Sequence, residues 1–391
     1  PEQPRPRDLD RPPVMSDVAE LAGVSQMTVS RVINERSGVR DETRARVQAA
    51  MRELDYHPNI AARTLVTGRS KTLGVVSFNT TLYGPASTLY GVEVAAQAAG
   101  YFVSVATMRT LDRRSLHEAV GRLRTQGVDG IILIAPQSAA VDALQQLAIT
   151  LPLVVVEGGI GGGAPVAAVD QYTGADRMTH HLLSLGHETV WHISGPNDWL
   201  EARARLRAWK SRLLEAGREV PPVLPGDWSA RAGYEHGRTL AAEGKATAVF
   251  AANDSMALGV LRAFHEAGAR IPEDVSVVGF DDVPEAAYFS PPLTTVRQNF
   301  EEVGQRSLQL LLAQVEGETL DSDQIVIEPD LVLRDSSGPA PFRATGQPAG
   351  APSGASVSTP LDDPGSRSDH EGSEDRPAGR PVRRWRRHLA R

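Results

Sequence analysis

The sequence predicts an α/β protein: an N-terminal all-α headpiece built on a helix-turn-helix, then a core of two doubly wound parallel-sheet subdomains. Three observations predict it. Residues 17–34 read as two short helices joined by a tight turn. From Thr72 onward, short apolar runs alternate with amphipathic stretches, the pattern of parallel strands covered on both faces. That alternation comes in two units of about equal length, which predicts two subdomains with a crevice between them. A chain of 391 residues has room for two or three domains.

In the first helix Val18, Ala19, Leu21 and Ala22 form an apolar face. Gly23 ends it, because glycine accepts the left-handed backbone such a turn needs. Ser25 stands where a second helix needs an N-cap oxygen. Val29, Val32 and Ile33 recur at helical spacing and face inward. Gln26, Met27, Thr28, Ser30 and Arg31 then point outward, and Asn34 closes the stretch. A short helix presenting these side chains can hydrogen-bond base edges and phosphates in a major groove, and Met27 can cover a thymine methyl. An ordinary αα-hairpin is the other reading of the same pattern. A third amphipathic helix spans Asp41–Leu54, with Val47, Ala50, Met51 and Leu54 on one face. From Ser25 to Lys71 there are nine Lys/Arg against five Asp/Glu, a local basic excess in a chain of net charge -7.

Strands are expected at Leu73–Phe78, Phe102–Ala106, Gly130–Ile134, Leu153–Val156 and Ala167–Val169. Helices are expected between them at Tyr90–Ala99, Leu116–Gln126 and Val141–Ala148. The second unit reads helix Gly174–Leu185, strand Val190–Ile193, helices Ala202–Ala216 and Ala232–Glu243, strand Ala248–Ala251, helix Ser255–Ala267 and strand Val275–Gly279. From Gly338 the chain is rich in Pro, Gly, Ser and Asp and cannot bury enough apolar surface to order itself.

Several chemistries are excluded. There is no cysteine, so neither disulfides nor thiolate metal sites are expected. Pro1–Pro13 lacks an apolar stretch of the export kind, and no run reaches membrane-spanning length, so a cytoplasmic protein without membrane contact is expected. Gly159-x-Gly161-x-x-Ala164 formally matches a dinucleotide fingerprint, but Pro165 and a strand follow where a helix should begin. His187, Glu188 and His192 are not at zinc-protease spacing, and adjacent His180 and His181 face different ways on a helix. No enzyme, cofactor or metal is expected.

Val14–Lys71 resembles the headpiece and hinge of the lac repressor family of bacterial transcription regulators. The patterns D-V-A-x-L-A-G-V-S-x-x-T-V-S-R-V-x-N, E-T-R-x-R-V and Y-x-P-N-x-x-A-R-x-L follow in order and spacing. The resemblance extends to Leu333 and implies a periplasmic-binding-protein-like core. The domains expected are a disordered arm over 1–13, the headpiece over 14–59, and a hinge helix and linker over 60–71. An effector-binding core follows over 72–335, its N-subdomain about 72–169 and 299–328 and its C-subdomain about 170–298 and 329–335; 336–391 is a disordered tail. The resemblance implies that Ser25, Gln26, Met27, Thr28, Ser30, Arg31, Asn34, Arg40 and Asn59 meet DNA in and beside the major groove. Ala62 and Leu65 of paired hinge helices would enter the minor groove, Leu65 as a wedge that kinks the central step.

Sugars offer hydroxyls and apolar ring faces, so binding them calls for planar charged groups and an aromatic ring. The resemblance places Arg205 of Ala202–Trp209 on ligand hydroxyls and Trp228 of Gly226–Ala230 on the sugar face. Asn253, Asp281 and Glu157 end strands, where open α/β sheets meet their ligands, and Gln298 lies at a lobe crossing. Each also has an ordinary structural reading: Trp228 as a core residue, Arg205 as a surface ion pair, Asp281 as a helix cap. The sequence departs from the family around Leu82 and Pro85, the region implied to choose the ligand, so a galactoside or another glycoside is the expected class. It also departs at Val14 and Arg40, where the family carries capping residues. Ser16 and Asp41 could cap by a one-residue shift, or Arg40 could meet a phosphate. No tetramerising leucine heptad follows, so a homodimer on a near-palindromic double-stranded operator, released by a small sugar, is expected. The alternatives are a transport-type sugar-binding protein with no DNA role, and a family regulator that its ligand tightens on DNA.

Overall fold

The computed structural model describes residues 11–33, 38–57, 68–78, 80–108, 110, 112–134, 136–146, 149–157, 163–319 and 322–342. Asn34, Asn59, Ala62, Leu65, the Gly159–Gly161 fingerprint, most of the N-terminal arm and the chain beyond residue 342 lie outside the described residues.

Three helices build the headpiece: α1 (Met15–Ala22), α2 (Gln26–Ile33) and α3 (Asp41–Glu53). Val18, Ala19, Ala22, Val29, Val32, Val47, Ala50 and Tyr56 make its buried core. Gly23 closes α1 at φ 64°. The Ser25 hydroxyl accepts the Thr28 N–H at 3.2 Å, so α2 is capped as its sequence predicts. The one-residue cap shift does not occur. The N-caps are Val14 and Arg40 themselves, neither with a side-chain cap, while Ser16 and Asp41 lie inside their helices. Asp17 compensates at α1 by accepting the Val14 N–H at 2.9 Å, the reciprocal half of a capping box.

The core opens with β1 (Thr72–Phe78), α4 (Tyr83–Ala98), β2 (Phe102–Met108), α5 (Arg113–Thr125), β3 (Gly130–Ile134), α6 (Ser138–Gln145), β4 (Leu153–Val156) and β5 (Val166–Val169). It continues with α7 (Gln171–Ser184), β6 (Trp191–Ser194), α8 (Leu200–Glu215), β7 (Leu224–Pro225), α9 (Ala230–Glu243), β8 (Ala248–Ala251), α10 (Asp254–Glu266) and β9 (Ser276–Val278). A 3₁₀ turn at Pro284–Tyr288, β10 (Thr295–Arg297), α11 (Phe300–Glu316), β11 (Gln324–Ile327) and β12 (Asp330–Val332) complete it.

One sheet runs β11-β5-β4-β3-β1-β2, all parallel, so the chain returns late to place β11 beside β5. The other runs β7-β6-β8-β9, also parallel. A two-stranded antiparallel ribbon, β10 with β12, adjoins the end of β9, where Gly279 and Asp281 donate to the Thr294 and Val296 carbonyls at 3.0 and 2.8 Å. β3 is buried at every position, which is why its sequence is continuously apolar.

Helices begin earlier than their apolar periodicity suggests, because capped first turns are polar. Asp112, Asp170 and Ser229 accept the N–H groups of Ser115, Thr173 and Ala232 at 2.8, 2.9 and 3.2 Å. The largest difference is α4, which starts at Tyr83 rather than Tyr90. Pro85 falls in its first turn, where the missing N–H costs nothing. Gly91 of α4 meets Gly304 of α11 so closely that a Cβ on either would stand within 2.4 Å of the other helix's backbone.

The boundary at 336 also differs from expectation. Ser336 is fully buried. Its hydroxyl donates to the Val277 carbonyl at 2.6 Å and accepts the Thr294 N–H at 2.8 Å. Gly338 and Ala340 bond to Ser276 and Leu185 at 3.0 and 2.9 Å. Polar pairing orders this segment without the large apolar side chains whose lack marked it as tail.

Candidate functional site

On the headpiece, Ser25, Gln26, Met27 and Arg31 are exposed and Thr28 and Ser30 half-buried. Met27 stands out most, 66 % exposed, beside Val29 and Val32 in the core. Arg40 is exposed at the start of α3.

In the core, seven of the eight expected ligand residues line one cleft of about 510 Å³: Leu82, Pro85, Arg205, Trp228, Asn253, Asp281 and Gln298. Leu82 is the N-cap of α4 and Pro85 sits in its first turn, so the early start of that helix is what brings both to the cleft. Arg205 is 2 % exposed on α8. Its guanidinium lies 3.8 Å over the Phe280 ring and 5.6 Å from the ring of Trp228. Nε donates to the Gln171 amide oxygen at 2.9 Å, and Nη1 donates to the Ala252 carbonyl. Nη1 also stands 3.6 Å from the Asp281 carboxylate. Nη2 has no hydrogen-bond partner among the described residues.

Gln171, which sequence reasoning missed, is the hub. Its amide nitrogen donates to Gln298 at 2.7 Å and to Glu157 at 3.3 Å. Gln298 donates in turn to Asp281 at 2.7 Å. The signal was its place, directly after the N-cap Asp170 at the C-terminal end of β5, the edge where such sheets meet ligands. Glu157 is the one expected residue that does not line the cleft. Its carboxylate turns instead to the Val169 N–H at 2.9 Å and to Gln171, and it borders a neighbouring cavity of about 790 Å³.

Asn253 caps α10 through the Met256 N–H at 2.9 Å and donates to the Trp228 carbonyl at 3.1 Å. Both of its polar ends are therefore held by the chain. Trp228 packs edge-on to Trp199, with ring centroids 5.5 Å apart, and its indole N–H is buried without a partner among the described residues. Trp199, Tyr83 and Phe289 extend the aromatic wall, and Glu201, Glu285, Ser255 and Thr81 are polar lining residues that sequence reasoning passed over.

The charges are unbalanced. Burial pushes Asp281 up to about 6 even though Arg205 and the Gln298 amide oppose it. Burial likewise pushes Glu157 to about 7, against its hydrogen bonds to Val169 and Gln171. Glu201 is raised to about 8 by burial first and by the charge of Glu157 second. Glu157, Trp228 and Asp281 also hold φ values of 57°, 72° and 114°. Strain of that kind in residues other than glycine persists where the surroundings enforce it, and it clusters at binding sites. His192 does not join this chemistry: it is buried between Trp209 and Phe250, pushed down to about 4, with Nδ1 at 2.9 Å from the Phe250 carbonyl. Among the described residues no cluster of His, Asp or Glu is arranged to hold a metal, and no helix is long and apolar enough to cross a membrane.

Comparison with known proteins bears on both sites. Residues 14–59 match the family described as bacterial regulatory proteins, lacI family, and residues 179–337 match the periplasmic binding protein-like domain. The lactose operon repressor of Escherichia coli (strain K12) is 33% identical over 346 residues, 86% of this chain and 94% of that protein. The HTH-type transcriptional regulator CelR of Thermobifida fusca is 37% identical over 340 residues, covering 83% and 98%. Among solved structures, the lac repressor dimer bound to operator and the anti-inducer ONPF aligns with TM-score 0.75 at 33% identity, over 84% of this chain and all of that one. A CelR–cellobiose complex aligns with TM-score 0.62 at 33% identity, covering 83% of this chain and 100% of its own.

Proposed function

Since this chain belongs to the lacI family of bacterial regulatory proteins and is a DNA-binding transcription regulator, we propose that it is a homodimeric repressor that a glycoside releases from a near-palindromic operator. The observation that carries the effector reading is the cleft itself. Arg205, Gln171, Gln298 and Asp281 form a buried ring beside Trp228, three hydrogen bonds closed by the 3.6 Å ion pair of Asp281 with Arg205, with one guanidinium nitrogen left over. A planar cation beside a carboxylate and an aromatic wall suits paired hydroxyls on an apolar ring. The relatives support a sugar as the class of effector: a CelR structure holds cellobiose, and the E. coli relative is named for lactose. The lacI-family match over the headpiece speaks against a transport-type binding protein.

On DNA, the exposed face Gln26–Arg31 reads bases, Arg31 and Arg40 meet phosphates, and the hinge with Leu65 enters the minor groove. The protein acts by binding rather than by catalysis. The test is a gel shift on an operator selected from random DNA, with and without lactose, cellobiose and methyl β-galactoside. At least one sugar is expected to weaken operator binding. A sugar that instead tightens it makes the protein a corepressor-type regulator, and no response to any glycoside overturns the effector class.

A further inference from the structure

Glu201 occupies a position that the glycoside reading leaves unused. It sits in the first turn of α8, four residues before Arg205, so both side chains leave the same helix face. It is the single residue common to the linings of the 510 Å³ cleft and the 790 Å³ cavity. It is half-buried, and it makes no hydrogen bond or ion pair among the described residues. A carboxyl with no partner among the described residues, lining a ligand cleft beside that cleft's charged residue, is free to accept a ligand's donors.

We propose that Glu201 reads a pair of effector hydroxyls, giving up a proton to solvent when the glycoside binds. This rests on the glycoside reading of the same cleft. Without ligand, the carboxyl faces Glu157 from the end of β4 and Asp281 beyond β9, with Arg205 the one cation close enough to oppose them. Asp170, Arg203, Arg207 and Lys210 also line the cavity, and Glu285 also lines the cleft. Burial and the Glu157 charge together keep it protonated near neutrality, with a pKa of about 8. Hydroxyl donors on a bound sugar favour the ionised form, because a carboxylate accepts charge-assisted hydrogen bonds that an acid does not. The O–H bond of the acid breaks, the proton goes to the buffer, and the carboxylate accepts two sugar O–H groups.

The experiment is calorimetric titration of the full chain with lactose, cellobiose and methyl β-galactoside at neutral pH. Two buffers of different ionisation enthalpy are used, and the titration is then repeated from about pH 6 to about pH 8. Wild type is expected to release close to one proton per site and to bind at least about tenfold tighter at the upper pH. Glu201→Gln is expected to bind without proton release and to lose the pH dependence; Glu201→Asp is expected to restore the release. Binding by wild type with no proton released overturns the proposal and leaves the glycoside reading standing. Release that persists in Glu201→Gln assigns the proton to Glu157 or Asp281 and also overturns it. If none of the sugars binds wild type, the glycoside reading falls and this inference falls with it.

Discussion

Arg205 serves the fold and the cleft at once, and its variants separate the two roles. Buried at 2 % exposure, it is the cation facing Asp281. Arg205→Ala removes one partner of a buried ion pair and is expected to cost about 3–5 kcal/mol in urea unfolding. Arg205→Lys keeps the charge but loses the fork, so it is expected to fold, to bind operator, and to need a higher sugar dose for release. An unchanged dose would remove Arg205 from the ligand site. Glu157 gives a pH prediction. Its folded pKa, about 7, lies above the ordinary 4.5, so between those values the folded state holds a proton that the unfolded chain has lost. Its contribution to stability is therefore present on the acid side and is lost as pH rises toward about 7. Glu157→Gln is expected to flatten that loss in unfolding curves, and an unchanged slope would mean the carboxyl is not held neutral. His192 works in the opposite sense: pushed down to about 4, it costs stability as pH falls below 6.5.

At the scale of the element, the start of α3 is a weak point, whereas Asp17 compensates at α1. Arg40 caps nothing, although it heads a helix that carries Asp41 and Glu42 in its first turn. Arg40→Ser supplies the missing acceptor and is expected to stabilise the headpiece by about 1 kcal/mol in thermal unfolding. The same change is expected to lower the salt slope of operator binding by about 1, as loss of one phosphate contact requires. A stabilised headpiece with an unchanged slope would show that Arg40 does not touch DNA. The apolar periodicity of the helices was legible; their first turns were not, because capped turns are polar and Pro85 reads as a breaker until its place in α4 is known.

At the scale of the whole molecule, release requires that sugar bind the DNA-free state better than the DNA-bound one. A hundredfold fall in operator affinity corresponds to about 2.7 kcal/mol of differential binding. Charge-assisted hydrogen bonds contribute about 1.5–3 kcal/mol each, so one or two contacts at Arg205 and its ring suffice. By reciprocity, operator DNA is expected to weaken sugar binding by the same factor. Titrating sugar into protein with and without operator measures it, and equal affinities would rule out coupling. The net charge of -7 keeps non-specific attraction low, so operator affinity is expected to fall steeply with salt through the headpiece contacts alone.

The sequence by itself determined the family, the outward face of the second headpiece helix and the alternation that builds the sheets, because these are local patterns of spacing and polarity. It also named seven residues that come to share one cleft, since strand ends and motif positions carry that information. Only the tertiary structure decided what they do to one another. Gln171 is an ordinary polar residue after a cap until folding places it between Glu157, Gln298 and Arg205, far apart in the chain. Glu201 became notable only when folding set it between two cavities, half-buried and without a partner among the described residues. Glu157 left the cleft because the Val169 N–H, twelve residues on, claimed its carboxylate. Desolvation and long-range hydrogen bonding depend on what surrounds a group in space, and spacing along a chain does not encode that.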